Sequence, residues 1–316
     1  MKKIKKRLKD EIKNLFSERE RIFSWLEERK ELLKEVIEKI ETIKEEIVFI
    51  PTHFTYIKVE ENLKEYGEYK GITIPHFSSE KIYYWIFISD EVKDPTKLEL
   101  FVAHELFGHV ELCIEKKIDE KLHPLYEQLF GREEKIIKIS KKDEGKELLR
   151  KYYYYRIVLN GLEEAYAYVI QTLMGLYISL KEGRSVKNVV EELIKVVAHY
   201  SHRKGTYEEI MKNGVEKIIK MLIEKGVVET SWLVADLGTM TGILLLFEID
   251  RGKGGYLSNF LINYAENKQF SSSEIKELIV KLWKYKREIE KRIDKYLEFF
   301  ITYLKKLNSL INKILE

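Results

Sequence analysis

The spacing of apolar residues changes character twice along the chain. From 2 to 46 apolar side chains recur every three or four positions among Lys, Arg and Glu, which predicts an amphipathic helix. Between 47 and 90 the pattern breaks into short runs rich in β-branched and aromatic residues, separated by Pro and Gly. Such runs predict strands of a small mixed or antiparallel sheet, at 47–50, 54–59, 71–74 and 81–88.

Helical spacing returns after residue 94 and continues almost to the end. It predicts helices at 95–115, 148–180, 186–202 and 207–224, a strongly buried one across 233–247, and a very long one over 271–316. Ser271 and Glu274 have the spacing of a capping box at its start. The predicted fold class is mainly α with a small sheet (α+β). We divide the chain into a helical arm (1–46), a central domain (47–270) and a long C-terminal helix (271–316).

The two terminal segments each present one apolar stripe that a lone helix cannot bury. We expect them to pack antiparallel on each other and on the central domain, or to pair across a homodimer. Segment 1–46 has two alternatives, an inhibitory segment over the functional site or a basic arm that binds nucleic acid. Its interleaved acidic residues disfavour the second.

Composition narrows the function classes. The 316 residues are 45% hydrophobic with a net charge of +3, so no global field for nucleic acid or membrane surfaces is predicted. No run of 18 uncharged apolar residues predicts a membrane span. The only cysteine, Cys113, suits a reducing compartment such as the cytoplasm, and we expect it to be a small buried hydrophobe. Abundant Lys and Glu with little Gln indicate a thermophile.

The stretch His104-Glu105-Leu106-Phe107-Gly108-His109 carries the candidate chemistry. The H-E-x-x-H pattern of zinc peptidases places two histidines on one helical face, with the glutamate as general base. Here one more residue separates the histidines, and a regular α-helix would turn them about 140° apart. A π-helical turn would restore a common face, and Gly108 would make that distortion easier. The alternative is a buried polar helix whose histidines bond within the core.

A second stretch, Gly161-Leu162-Glu163-Glu164-Ala165-Tyr166-Ala167-Tyr168, places two carboxylates in apolar surroundings. Burying them without a partner is unfavourable, and a metal ion would supply one. Two imidazoles and one carboxylate are a frequent zinc ligand set that leaves a position for water. Glu163 and Glu164 both qualify as the third ligand. Iron, manganese and cobalt would also accept this set.

The first stretch resembles the H-E-L-L-G-H motif of dipeptidyl peptidase III, a family of zinc gluzincins, and the second resembles that family's E-E-C-R-A-E motif. The resemblance implies one zinc per chain, held by His104, His109 and Glu164. It also implies a zincin-like core, with Glu105 as catalytic base and Glu163 as a partner of the ligands. Tyr166 and Tyr168 replace the family's arginine and last glutamate, and the resemblance covers only two helices. Tubulin-type tyrosine carboxypeptidases also use H-E-x-x-x-H, with an earlier third glutamate.

The sequence therefore predicts a zinc-dependent metallopeptidase acting on a peptide substrate. A different metal-dependent hydrolase, and a helical scaffold with a structural or vestigial metal site, are the alternatives. Gluzincins commonly place a histidine or tyrosine near the developing oxyanion, and the candidates here are His199 and His202, with Tyr154 behind them. Both histidines could instead complement the end of their helix. The strand at 82–88 is a candidate edge for an extended peptide.

Overall fold

A computed structural model of the chain describes residues 71–77, 82–88, 97, 100, 101, 103–130, 133–201, 206–225, 227–267 and 269–315. This part of the chain is mostly helical, as predicted. Its elements are β1 (Gly71–Phe77), β2 (Ile82–Ile88), a π-helix (Ala103–Val110), α1 (Glu111–Lys116), α2 (Ile118–Phe130), α3 (Glu133–Ser140), α4 (Asp143–Glu182), α5 (Lys187–Ser201), α6 (Tyr207–Lys225), α7 (Val227–Gly252), α8 (Tyr256–Asn267) and α9 (Ser272–Leu315).

The described strands form one antiparallel pair. Gly71 lies opposite Ile88 and Phe77 lies opposite Ile82, so β1 and β2 are two arms of a hairpin. The strands predicted at 47–50 and 54–59, and the arm at 1–46, lie outside the described residues. The size of the sheet and the packing of the arm therefore stay predictions.

Helix α4 is the central helix of the described structure. It packs against α7, α9 and the π-helix, and its apolar side chains belong to one continuous core. The helix begins at Asp143, five residues before the predicted start, because the charged first turn has no apolar periodicity to reveal it. It ends at Gly183, whose φ of 66° lets the backbone N–H reach the carbonyl of Leu180.

Helix α9 runs beside α4. Its start has the predicted capping box: the Glu274 N–H donates to the Ser271 hydroxyl at 3.2 Å, and the Ser271 N–H donates to the Glu274 carboxylate at 2.6 Å. The apolar stripe from Ile289 to Ile311 is buried, with α4 and α2 among its neighbours. None of the helices of the described residues is long and apolar enough to cross a membrane.

Asp250 joins the last three helices. Its carboxylate accepts hydrogen bonds from the backbone N–H groups of Leu257 and Ser258 at 2.8 and 2.9 Å, and it also accepts the Ser258 hydroxyl. The Tyr285 hydroxyl of α9 donates to the same carboxylate at 2.6 Å. Asp250 therefore caps the start of α8 from the end of α7 and ties both to α9.

We expect Asp250→Ala to lower the free energy of unfolding by about 2–4 kcal/mol, because several buried donors lose their acceptor together. Burial by itself would raise the pKa of Asp250, but the hydrogen bonds from Ser258, Tyr285 and Leu257 lower it. Its contribution is thus complete above the unfolded pKa of about 3.9 and is lost as the pH falls through the folded value. Denaturant unfolding at several pH values measures both effects.

A matched control is Asp143→Ala, in which the lost carboxylate is 97% exposed and pairs only at the surface with Lys146. It should change the free energy of unfolding by less than about 0.5 kcal/mol. Equal losses in the two variants would refute the capping role of Asp250.

Candidate metal centre

The motif segment is π-helical over its whole length, Ala103–Val110. Hydrogen bonds in a π-helix join residues five apart, so side chains at that spacing lie one above the other. His104 and His109 therefore share a face. Their Nε2 atoms are 3.2 Å apart, and their rings meet edge to face at 4.9 Å. The prediction that a wide turn would bring these histidines together is confirmed.

Gly108 lets the π-helix approach α4 closely. A Cβ atom at this position would lie 2.5 Å from the Cβ of Ala167 and 2.6 Å from its Cα, far inside van der Waals contact. The small side chain of Ala167 contributes to this close approach from the side of α4. Gly108 has a second role that spacing alone does not reveal, because it sets the distance between the two helices that carry the cluster.

Glu164 completes a cluster with the two histidines. One of its carboxylate oxygens lies 3.5 Å from Nε2 of His104, and the other lies 3.6 Å from Nε2 of His109. Among the described residues these three form the only group of ligand-type side chains close enough to share a metal ion. The side chains are only 9%, 16% and 19% exposed for His104, His109 and Glu164.

The spacing of these atoms suits a tetrahedral zinc ion. Ligands about 2.0–2.2 Å from zinc are separated by about 3.3–3.6 Å in a regular tetrahedron. The two Nε2 atoms are 3.2 Å apart, and each lies 3.5 or 3.6 Å from one oxygen of Glu164, a different oxygen for each histidine, so the separations lie close to that range. A donor set of two imidazoles and a carboxylate also matches zinc sites that keep one position for a non-protein ligand. The residues present therefore fit a zinc ion.

The electrostatics of the cluster couple its members. Burial would lower the pKa of His104, but its hydrogen bond and charge interaction with Glu164 raise it. Burial lowers the pKa of His109. Burial would raise the pKa of Glu164, yet its interactions with His109 and His104 lower it. Glu164 is thus held as a carboxylate, the protonation state in which this side chain binds a metal ion.

The second ring nitrogen of His104, Nδ1, has surroundings typical of a histidine that binds a metal through Nε2. Nδ1 is buried without a hydrogen-bond partner in this conformation. Gln171 is one of the groups that raise the pKa of His104. It is buried two turns beyond Glu164, on the same face of α4. Histidine ligands usually donate this second N–H to a nearby acceptor. The amide oxygen of Gln171 is suited to that role.

Helix α7 supports Glu164 from behind. A Cβ at Gly242 would lie 2.6 Å from the Cβ of Glu164, so only glycine permits this approach. Thr239, one turn earlier, is among the groups that lower the pKa of Glu164 through a side-chain hydrogen bond. The sequence predicted α7 only as a buried helix. The small residues Gly238, Thr239, Thr241 and Gly242 were a signal of close packing that the prediction did not use.

Glu105 is buried next to His104, and its carboxylate has a partner outside the motif. The hydroxyl of Thr73 on β1 donates to Oε2 of Glu105 at 2.7 Å. The charge of Glu105 also contributes to raising the pKa of His104 and counteracts the lowering at His109. The carboxylate therefore lies within electrostatic reach of both histidines. Sequence reasoning missed Thr73.

Glu163 faces a different set of groups. Its carboxylate lies 3.9 Å from the Arg156 guanidinium, and burial raises its pKa to about 7, with Asp119 and Glu164 adding to the rise. Asp119 in turn accepts the Tyr84 hydroxyl at 3.0 Å. The resemblance implies Glu163 as a partner of the ligands, and the ion pair described for it is with Arg156. Adjacent residues on a helix point about 100° apart, so only one of the two glutamates can face the histidines.

Two of the predicted oxyanion donors, His199 and Tyr154, have their described contacts away from the cluster. His199 is exposed near the end of α5, and its ring contacts Tyr200 at 4.9 Å. His202 lies outside the described residues. Tyr154 is 40% exposed and packs beside Tyr155. Instead the ring of Tyr168 packs edge to face on His104 at 4.7 Å, one turn after Glu164. Cys113 is a free, buried thiol, as predicted.

Comparison with known proteins adds no relative. No protein-family profile, curated protein sequence or solved structure matches this chain. The resemblance to dipeptidyl peptidase III therefore consists of the two short motifs, and the function has to be argued from the cluster itself.

Proposed function

We propose that this chain is a zinc-dependent metallopeptidase. The observation that carries the proposal is the cluster of His104, His109 and Glu164, together with Glu105, a buried residue that follows His104 in the sequence and whose charge acts on both histidines. The ligand atoms come from the π-helix and α4, two elements held in close contact by Gly108. A site on packed helices keeps its geometry better than a site on loops.

Bound by these three side chains, a zinc ion would act as a Lewis acid that acidifies a water molecule and polarises a peptide carbonyl. Glu105 takes the proton from the attacking water and delivers it to the departing amine nitrogen. Glu164 supplies the negative charge that partly neutralises the dication. The ring of Tyr168 packs on His104 and would limit its movement.

Two features favour catalysis over a structural metal site. Structural zinc sites usually have four protein ligands, whereas the described residues supply three. A structural site also does not require a carboxylate that follows a ligand in the sequence. Glu105 is such a carboxylate, and the Thr73 hydroxyl donates a hydrogen bond to it. The same ligands would also serve another metal-dependent hydrolase, and the substrate distinguishes the two.

The finer assignments follow from this proposal. The core would be zincin-like, with the β1–β2 hairpin as part of its sheet and the long terminal helices around it. One zinc ion would bind per chain, a peptide would be the substrate, and the protein would work in the cytoplasm. Segment 1–46 and α9 would contribute to a wall of the cleft or to a homodimer.

The direct test is incubation of the zinc-loaded protein with a mixed library of short unstructured peptides, followed by mass spectrometry. We expect new peptide termini to accumulate, and we expect treatment with a chelator to stop their formation until zinc is added back. Absence of cleavage by fully zinc-loaded protein, across peptides of varied sequence and length, would contradict a peptidase and favour the scaffold alternative.

A further inference from the structure

The carboxylate of the proposed base is held by a residue far away in sequence. Glu105 follows a metal ligand on a rigid π-helix, but its own side chain has rotatable bonds that the helix does not fix. Oε2 of Glu105 accepts the Thr73 hydroxyl at 2.7 Å, and the same hydroxyl lies 3.5 Å from the Glu105 carbonyl oxygen. Oε1 is the other oxygen of the carboxylate and can accept a further proton.

The hairpin that carries Thr73 is itself anchored. Thr73 lies opposite Ile86, and Pro75 lies opposite Tyr84, so Thr73 and Tyr84 lie on the same face of the hairpin. On this face the Tyr84 hydroxyl donates to Asp119 of α2 at 3.0 Å. Among the described side chains of the hairpin, Thr73 makes a polar contact with the π-helix and Tyr84 makes one with α2.

We propose that Thr73 is a positioning residue for Glu105, and that the β1–β2 hairpin sets the orientation of the base through this hydrogen bond. The inference rests on the proposed function, in which Glu105 moves the proton. A base works only when its acceptor oxygen lies within hydrogen-bond reach of the proton that it takes. The hydrogen bond from Thr73 fixes Oε2 of Glu105, and the position of Oε1 is then fixed as well because both oxygens belong to one rigid carboxylate.

The Thr73 hydroxyl acts on the orientation of the carboxylate. Its hydrogen bond restricts the side chain of Glu105, so removal of the hydroxyl should slow proton transfer. A catalytic group has to be held within about 0.5 Å of its productive position.

The kinetic test compares Thr73→Val with Thr73→Ser in zinc-loaded protein, on the peptide that the wild-type protein cleaves fastest. Thr73→Val keeps the shape but removes the hydroxyl, and it should lower kcat about tenfold while KM stays within about twofold. Thr73→Ser keeps the hydroxyl and should recover most of kcat. The zinc content of both variants should equal that of the wild type.

Tyr84→Phe tests the anchor of the hairpin separately. It removes the hydrogen bond to Asp119 and keeps the buried ring, so the contact between Thr73 and Glu105 should persist and kcat should fall by less than in Thr73→Val. A kcat for Thr73→Val equal to or above the wild type would overturn the inference. It would also be overturned if Thr73→Ser were as slow as Thr73→Val, or if Tyr84→Phe reproduced the loss, since packing or hairpin docking would then explain it.

A second readout needs no turnover. In zinc-free protein, Thr73→Val should lower the midpoint of thermal unfolding by about 2 °C when Glu105 is present, and should not lower it in a Glu105→Leu background. Equal falls in both backgrounds would show that Thr73 and Glu105 do not interact. A zinc-loaded wild-type protein without peptidase activity would overturn the proposed function and the catalytic role of Thr73, while this comparison would still decide whether the contact exists.

Discussion

Glu105→Gln is expected to keep zinc fully bound and to lower turnover by about 10²–10⁴-fold, the usual contribution of a general acid–base group. The amide has nearly the same shape as the carboxylate and can still accept the hydroxyl of Thr73, so the fold of the site should be preserved. It cannot take a proton from the attacking water, however. Elemental analysis of bound zinc and the rate of peptide cleavage measure the two halves of this prediction.

The control for this prediction is Glu115→Gln, a change of the same kind at an exposed position on α1, a few residues beyond the motif. Its zinc content and its turnover should match those of the wild type. Unaltered turnover in Glu105→Gln would show that Glu105 is not the base. Loss of zinc from Glu105→Gln would instead show that this carboxylate helps to hold the metal.

Gly108→Ala should disrupt the metal centre without changing any ligand. The added methyl group would lie 2.5 Å from Cβ and 2.6 Å from Cα of Ala167, and a backbone atom cannot move aside as a flexible side chain can. The π-helix and α4 would have to separate, which moves both histidines away from Glu164. We expect a loss of about 1–3 kcal/mol in the free energy of unfolding and about 10²-fold weaker zinc binding.

Gly252→Ala provides the comparison for Gly108→Ala. A Cβ at Gly252, the last residue of α7, would meet no atom within 4 Å, and its backbone has no positive φ. Denaturant unfolding and zinc titration should therefore give wild-type values or slightly higher stability. If Gly108→Ala were as stable as Gly252→Ala and bound zinc equally well, the close approach of the two helices would not be what holds the cluster.

The parts of the site that could be predicted are those encoded by local spacing. Two side chains five residues apart, such as His104 and His109, share one helical face in a π-helix but not in a regular α-helix. The spacing therefore predicted the π-helix that the structure contains. The pair Glu163 and Glu164 indicated a helix that brings a carboxylate to a partner. Ser271 and Glu274 predicted the start of α9 because the two residues of a capping box lie within one helical turn of each other.

What sequence reasoning missed depends on contacts between distant segments. Thr73 lies 32 positions before Glu105, and no periodicity links a threonine on a strand to a helix that far away. Gln171 and Thr239 likewise interact with His104 and Glu164 only because α4 packs against the π-helix and α7 packs against α4. His199 was a candidate because gluzincins commonly place a histidine near the developing oxyanion, and that expectation does not fix where an exposed side chain lies.

The zinc content of the purified protein and of single ligand variants tests the central claim most directly. Elemental analysis of the wild type should find one zinc per chain, and His104→Ala and Glu164→Ala should each lose it. Glu163→Ala, a change in the neighbouring carboxylate that pairs with Arg156, should keep it. Full zinc retention in Glu164→Ala with loss in Glu163→Ala would transfer the ligand role to the neighbour. A wild-type protein that binds no zinc even after reconstitution would contradict the account.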